Sequence, residues 1–125
     1  MLCLVATAGC ERRPSQSLNG VWSVTIGHSD GIALEVQVDA AGTVSGTACA
    51  TSGSVLIYKR VPLVHHGDRM SYTVGPEQTG PCCPHAAGRQ EHIRIDDGDT
   101  LVLLPNQADF DLPFRRLEQL PALCR

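Results

Sequence analysis

Apolar and polar side chains alternate along much of this 125-residue chain. The clearest example is residues 31–39, where every second residue is apolar and the residues between are small or polar. The apolar set is Ile32, Leu34, Val36 and Val38. A period of two residues is typical of a β-strand with one face on the core and the other in water. This segment is therefore predicted to be a strand of a sheet with one buried face.

The same alternation, interrupted by turn residues, recurs along the rest of the chain and predicts seven or eight short strands. The predicted strand segments are residues 19–27, 31–39, 43–50, 54–64, 68–75, 91–98, 99–105 and 108–118. Residues 40–43 and 97–99 contain glycine and are predicted hairpin turns. The spacing favours an all-β fold, either a small antiparallel up-and-down β-barrel or a β-sandwich. No segment predicts an amphipathic helix of ten or more residues.

Length and charge narrow the possible functions. A chain of 125 residues is long enough for one domain with a real core and too short for two ordinary ones. The formal net charge is −3, so the chain lacks the basic field that recruits nucleic acid. We find no motif for nucleophilic, metalloprotease or phosphate chemistry, and predict a protein that is not an enzyme, with no catalytic residues and no cofactor.

The first ten residues, MLCLVATAGC, combine an apolar run with small residues and a cysteine. The sequence TAGC at residues 7–10 resembles the lipobox of bacterial lipoproteins. That resemblance implies that residues 1–9 are a signal peptide remnant and that Cys10 carries a lipid. Residues 10–17 would form a polar tether, and residues 18–125 the single β-barrel domain. The protein would then be anchored by its lipid in the bacterial cell envelope, on the periplasmic face of a membrane.

A second resemblance lies at the start of the first predicted strand. The residues Gly20-Val21-Trp22 are similar to the G-x-W opening of lipocalins, avidins and related small barrels, and D-x-x-G-x-V-S-G-T at residues 39–47 has the same character. In those families the tryptophan plugs the closed end of the barrel. The resemblance implies that Trp22, the one tryptophan of the chain, is such a plug. The alternative is that Trp22 is one core aromatic of a β-sandwich.

The six cysteines point to disulfides in an exported protein. With Cys3 removed and Cys10 lipidated, four cysteines remain: Cys49, Cys82, Cys83 and Cys124. Adjacent residues of an extended segment point in opposite directions, so Cys82 and Cys83 are expected to reach two different partners. Cys49 and Cys124 would be those partners, in an order that stays open. The two bonds would hold residues 75–89 to the third strand and to the C-terminal tail.

The same residues allow a chemical interpretation. Two thiolates at Cys82 and Cys83 together with His85 would suit a soft metal ion. Paired cysteines of zinc sites are normally separated by two to four residues, however. The oxidising compartment of an exported protein also favours disulfides over free thiols. We therefore predict disulfides and no metal ligands.

These observations predict an envelope lipoprotein that binds rather than catalyses. Its partners would be the membrane, through the lipid, and either a small apolar ligand or an envelope protein, with no nucleic acid. The alternatives are a periplasmic metal-binding protein that uses Cys82, Cys83 and His85, and a barrel-type protease inhibitor.

Overall fold

A computed structural model describes residues 14–104 and 111–125 of the chain. The predicted signal segment, the predicted lipidation site Cys10 and residues 10–13 of the predicted tether lie outside the described residues. Within the described ranges, no helix is both long enough and apolar enough to cross a bilayer.

The described chain is all-β, as the alternation predicts, and its strands form two antiparallel five-stranded sheets. The strands are β1 (Gly20–Ile26), β2 (Asp30–Val38), β3 (Val44–Ser52), β4 (Val55–Pro62), β5 (Val64–His66), β6 (Arg69–Thr73), β7 (Gln90–Asp96), β8 (Thr100–Leu104), β9 (Leu112–Pro113) and β10 (Arg115–Leu117). Four single-turn 3₁₀ helices accompany them: Gln16–Leu18, Pro76–Gln78, Pro84–Ala86 and Ala122–Cys124.

Each sheet is a meander of neighbouring strands. The first sheet has the order β10-β1-β2-β3-β4, and the second has the order β5-β6-β7-β8-β9. The ten strands of the described residues correspond to the eight predicted segments, because segment 108–118 contains both β9 and β10, and segment 54–64 contains β4 and the first residue of β5. Residues 65 and 66 of β5 lie outside the predicted segments. The prediction of seven or eight strands is thus too low by these two divisions.

Single residues separate the divided strands. Leu63 lies between β4 and β5, and its backbone N–H donates to the carbonyl of Gly46 at 2.9 Å. Phe114 lies between β9 and β10, and its N–H donates to the carbonyl of Leu101, also at 2.9 Å. The chain therefore passes from one sheet to the other at both places while it stays hydrogen-bonded to a neighbouring strand.

The core lies between the inward faces of the two sheets. The eleven largest side chains with under 2% exposure are Tyr58, Tyr72, Leu18, Leu34, Met70, Ile93, Leu101, Leu103, Val36, Val61 and Val74. The predicted apolar face of β2 is buried in this core. Ala33, which alternation places on the opposite, solvated face, is buried as well, and only 5% of it is exposed.

The predicted hairpin turn at residues 97–99 is present between β7 and β8. Asp97 and Gly98 both have positive φ angles, of 53° and 78°, which the Asp-Gly pair accepts readily. The preceding Asp96 does not face into the turn, because its carboxylate accepts from the Arg94 guanidinium at 2.6 Å. This ion pair lowers the pKa of Asp96.

Candidate functional site

Trp22 lies in the core near the beginning of β1, and only 4% of it is exposed. Its indole N–H donates to the carbonyl oxygen of Leu18 at 2.8 Å, so the one polar group of the ring has a partner. The Arg116 guanidinium lies over the ring at 4.3 Å from its centroid. Arg116 also donates to the Asn19 carbonyl at 2.8 Å. These contacts join the start of β1, the turn that precedes it and β10.

The described N-terminal residues lie close to the β7–β8 turn. The N–H of Ser15 donates to the carbonyl of Gly98, and its hydroxyl caps the first 3₁₀ helix by accepting from the N–H of Ser17 at 3.0 Å. Residues 14–17, which belong to the predicted tether, therefore contact the domain, and the chain enters the domain beside this turn.

One disulfide links Cys49 on β3 to Cys124 in the last 3₁₀ helix. Both cysteines are buried in a small second cluster on the outer face of the first sheet, with Ala33 and the partly buried Leu56 and Leu120. The C-terminal tail thus crosses the outer face and covers it, which explains why Ala33 is buried. The two cysteines are 75 residues apart in sequence. In the chain-entropy model, a loop of this length gives a disulfide about 4–5 kcal/mol of stabilising effect.

The second disulfide joins the adjacent residues Cys82 and Cys83. The expectation that these two residues bond to Cys49 and Cys124 is therefore wrong in both pairings. All four cysteines are disulfide-bonded, and no described cysteine is free. The two bonds therefore connect other segments than predicted. One holds the tail to β3, and the other lies wholly within the loop of residues 75–89.

The physical reason for the correction is the backbone conformation of the loop. Alternation of side chains holds only for an extended segment, whereas here the N–H of Cys83 donates to the Gly80 carbonyl at 3.0 Å in a turn. Cys83 has φ −138° and ψ 50°, outside the strand region, and Pro84 begins a 3₁₀ helix directly after it. In this bent backbone both sulfurs lie on the same side of the chain, within bonding distance.

The same loop is held against β4. The N–H of Gly80 donates to the carbonyl of Ile57 at 2.7 Å, and Thr79 forms a bridge with Tyr58. A side chain at Gly80 would collide with the carbonyl of Leu56, so only glycine permits this approach. The Cys82 Sγ lies 3.3 Å from the same carbonyl oxygen, a contact rather than a hydrogen bond because a disulfide sulfur carries no proton.

Further contacts fix the two arms of the loop. At its start, the N–H of Gly75 donates to the Gln78 side-chain oxygen at 2.7 Å. At its end, the N–H of Gly88 donates to the Val74 carbonyl at 2.7 Å. Ala86 between them is fully buried in the main core. The loop is therefore an ordered structure that packs on the end of the core. We name this loop, together with the β3–β4 turn, the loop end (residues 53–56 and 75–89).

A polar cluster lies within the core on the strands that border the loop. The hydroxyls of Tyr58 and Tyr72 are hydrogen-bonded to each other at 2.6 Å, and each residue is 1% exposed. Glu91 pairs with Tyr72 across β6 and β7, so both side chains point to the same face of the sheet. Glu91 is half-buried.

Burial governs the ionisation of this cluster. Burial raises the pKa of Tyr58 to about 12, and the hydrogen bond with Tyr72 opposes this increase only in part. Burial also raises the pKa of Tyr72. Desolvation also raises the pKa of the Glu91 carboxyl, against a smaller opposing effect of Arg89. Sequence reasoning missed these three residues. The alternation of apolar residues could have identified them, because each of the three occupies an inward position of its strand.

The residues of the proposed metal alternative do not form a ligand set in this structure. The sulfurs of Cys82 and Cys83 are bonded to each other, and His85 is exposed on the following helix. Among the described residues, no three His, Cys, Asp or Glu side chains are grouped closely enough to hold a metal ion. Another histidine, His65, has a structural role: its Nδ1 accepts from the N–H of Val44 at 3.0 Å, which ties β5 to β3.

Comparisons with protein-family models, with curated proteins and with solved structures gave no match for this chain.

Proposed function

We propose that the chain is a lipid-anchored module of the bacterial cell envelope that binds a protein partner through its loop end and carries out no catalysis. The proposal rests on one observation above all: the inward side chains of the two sheets are shielded from solvent, whereas the loop end is exposed and held by hydrogen bonds. The lipid anchor itself rests on the resemblance of residues 7–10 to a lipobox.

The finer architecture that fits this proposal is a single up-and-down barrel of eight segments. Its support is the continuity of the chain through Leu63 and Phe114, each of which stays hydrogen-bonded to a neighbouring strand while the chain changes sheet. If β4 with β5 and β9 with β10 each count as one bent strand, every segment has two neighbours around the ring. In that arrangement Trp22, with Leu18 before it, closes one end.

The burial of large aromatic and aliphatic side chains between the sheets favours a protein partner over an apolar ligand held there. Small barrels are packed by their own side chains, whereas those that hold a ligand leave room for it. Here Tyr58, Met70, Tyr72 and Ile93 are each at most 1% exposed and belong to the main core. A ligand would have to displace such residues, at a cost comparable to that of other disruptions of a packed core.

The contact of Ser15 with the β7–β8 turn supports an orientation in which the loop end faces away from a membrane. Residue 15 contacts the β7–β8 turn, and the loop joins β7 at the opposite end of the strand. At about 3.3 Å per residue, β7 separates the two ends by about 20 Å. The four steps along the chain from Cys10 to Pro14 span at most about 14 Å. A lipid on Cys10 would thus hold the Trp22 end near the membrane surface and present the loop end to the periplasm.

The loop end has the properties of a recognition surface. Val55 is 44% exposed, and Pro81, Cys82, Pro84 and His85 are exposed beside it. The disulfide, the prolines and the contacts to β4 hold these residues in one conformation before any partner arrives. A preorganised surface loses less conformational entropy on binding, which leaves more of the contact energy for affinity.

The anchor is tested by replacing Cys10. The Cys10→Ser protein is expected to take up no labelled palmitate and to leave the detergent phase, whereas the wild type is labelled and stays in it. Cys3→Ser is the matched control, because it changes the other N-terminal cysteine and should leave labelling intact. Uptake of palmitate by the Cys10→Ser protein would contradict the anchor.

The binding surface is tested by photocrosslinking in intact cells. A photoreactive amino acid at His85, exposed at the loop end, is expected to give a discrete crosslinked species. The control carries the photoreactive amino acid in place of Gln37, which is exposed on the outer face of β2, and should give no crosslinked species. Crosslinking from Gln37 alone, or equally from both positions, would contradict the assignment of the surface.

Two further assays separate the alternatives. Saturable binding of a fluorescent fatty acid, with quenching of Trp22 emission, would instead support an apolar ligand within the barrel. Inhibition of secreted proteases that is lost on Pro84→Gly would identify the partner as a protease and retain the loop end as the contact surface. No response in the fatty-acid assay is the expected result.

A further inference from the structure

We propose that the Cys82–Cys83 disulfide is a thiol–disulfide exchange site, reduced by a dithiol while the Cys49–Cys124 disulfide stays intact. The inference goes beyond the proposed binding function and does not depend on it. It rests on the different surroundings of the two bonds in the same molecule.

The first difference is access to the sulfurs. Exchange requires a thiolate to reach one sulfur of the bond. Cys82 is exposed to solvent and Cys83 is half-buried against the end of the core. Cys49 and Cys124, in contrast, are 3% and 5% exposed, and their bond lies between the first sheet and the C-terminal tail. A dissolved thiol can therefore reach the first bond in the folded protein, and reaches the second only after the tail opens.

The second difference is what each bond holds together. The Cys49–Cys124 bond joins residues 75 positions apart, and its loss would free the tail from β3. The Cys82–Cys83 bond joins neighbours, so its loss frees no distant segment. The loop would still be held by the Gly80 N–H on the Ile57 carbonyl and by the buried Ala86. The domain should thus remain folded when the vicinal bond is reduced, which a site that cycles between two states requires.

The exchange balances with a dithiol as the reductant. One thiolate of the dithiol forms a bond to the Cys82 sulfur and breaks the Cys82–Cys83 bond, and Cys83 leaves as a thiolate that takes a proton from water. The second thiolate of the dithiol then attacks the first sulfur of the dithiol, which is bonded to Cys82 in this mixed disulfide. Cys82 is released as a thiolate and is also protonated by water. The dithiol becomes a disulfide, and two electrons pass to the cysteine pair.

The test follows both bonds in the intact native protein. Dithiothreitol is added without denaturant, samples are quenched with acid, free thiols are alkylated, and the cysteines are identified by mass spectrometry. The vicinal pair is expected to be reduced at least about 100-fold faster than Cys49–Cys124, because a buried bond waits for local opening of the structure. The circular dichroism spectrum and the Trp22 emission should stay unchanged during this first phase, and oxidised glutathione should restore the bond.

The Cys82→Ser/Cys83→Ser variant is the matched control. It should fold, and should lose the fast phase of thiol appearance while it keeps the slow one. Reduction of both disulfides at the same rate would overturn the proposal. Resistance of the vicinal pair until the protein is unfolded would overturn it as well, as would loss of the native spectrum during the fast phase.

Discussion

Trp22 connects three parts of the molecule through one side chain. Its ring is buried in the core, its N–H is bonded to Leu18, and Arg116 covers its face. The G-x-W pattern singled out Trp22 in the sequence. Its partner Arg116 could not be identified there, because the two residues are 94 positions apart and meet only through the β1–β10 pairing.

Truncation of this side chain should be costly. Trp22→Ala is expected to lower the free energy of unfolding by about 3–5 kcal/mol, since it removes a large buried ring and leaves a cavity. Chemical denaturation followed by circular dichroism measures the change. Arg116→Ala is the comparison. It is expected to lower the free energy of unfolding by about 1 kcal/mol, because Arg116 is an exposed cation over an aromatic ring. A loss below about 1 kcal/mol for Trp22→Ala itself would contradict its place in the core.

The buried tyrosine pair gives a pH signature. The chain contains two tyrosines, so tyrosinate absorbance reports on this pair alone. Because burial raises the pKa of Tyr58 to about 12, the folded protein keeps its proton at a pH where the unfolded chain has lost it. The free energy of unfolding should therefore fall as the pH rises above about 10.

Spectrophotometric titration measures this effect. Little tyrosinate should form between about pH 10 and 11 in the folded protein, and its appearance at higher pH should coincide with loss of the native circular dichroism spectrum. Urea-unfolded protein is the control and should titrate near the ordinary tyrosine value. Ionisation of one full tyrosine near pH 10 in the folded state would show that the pair is exposed.

At the scale of elements, alternation was a good guide to where strands lie and a poor guide to where they break. It predicted the eight segments because most of the strands place alternate side chains in the core. It could not predict the division at Leu63, since Val61, Leu63 and Val64 read as one apolar run and Leu63 itself is buried. It also could not predict that Ala33 is buried, because the covering tail comes from the other end of the chain.

The two single-residue divisions should behave as continuous strand. The amides of Leu63 and Phe114 are each bonded to a carbonyl of a neighbouring strand, so both are expected to exchange with solvent as slowly as the amides of the strands beside them. Hydrogen exchange followed by NMR measures this. The Gly53 amide, in the β3–β4 turn, offers a comparison with an exposed hydrogen-bonded turn residue and should exchange faster. Fast exchange at Leu63 and Phe114 would indicate hinges between separate sheets and contradict the proposed barrel.

At the scale of the whole molecule, the two disulfides have different structural roles. The Cys49–Cys124 bond fixes the C-terminal tail over the first sheet, and the Cys82–Cys83 bond shapes the loop end without joining it to another element. The sequence correctly marked the four cysteines as a set that forms two disulfides. The pairing depended on a turn at Gly80–Cys83, which the assumption of an extended backbone excluded.

This division underlies both the proposed recognition surface and the exchange site, and peptide mapping of the non-reduced protein tests it most directly. Trypsin should release residues 70–89 as one peptide that contains Cys82 and Cys83 and is lighter than its reduced form by two hydrogens. Residues 117–125, with Cys124, should be recovered linked to the peptide that carries Cys49 and ends at Lys59. Recovery of residues 70–89 linked to either of those two peptides would contradict the account.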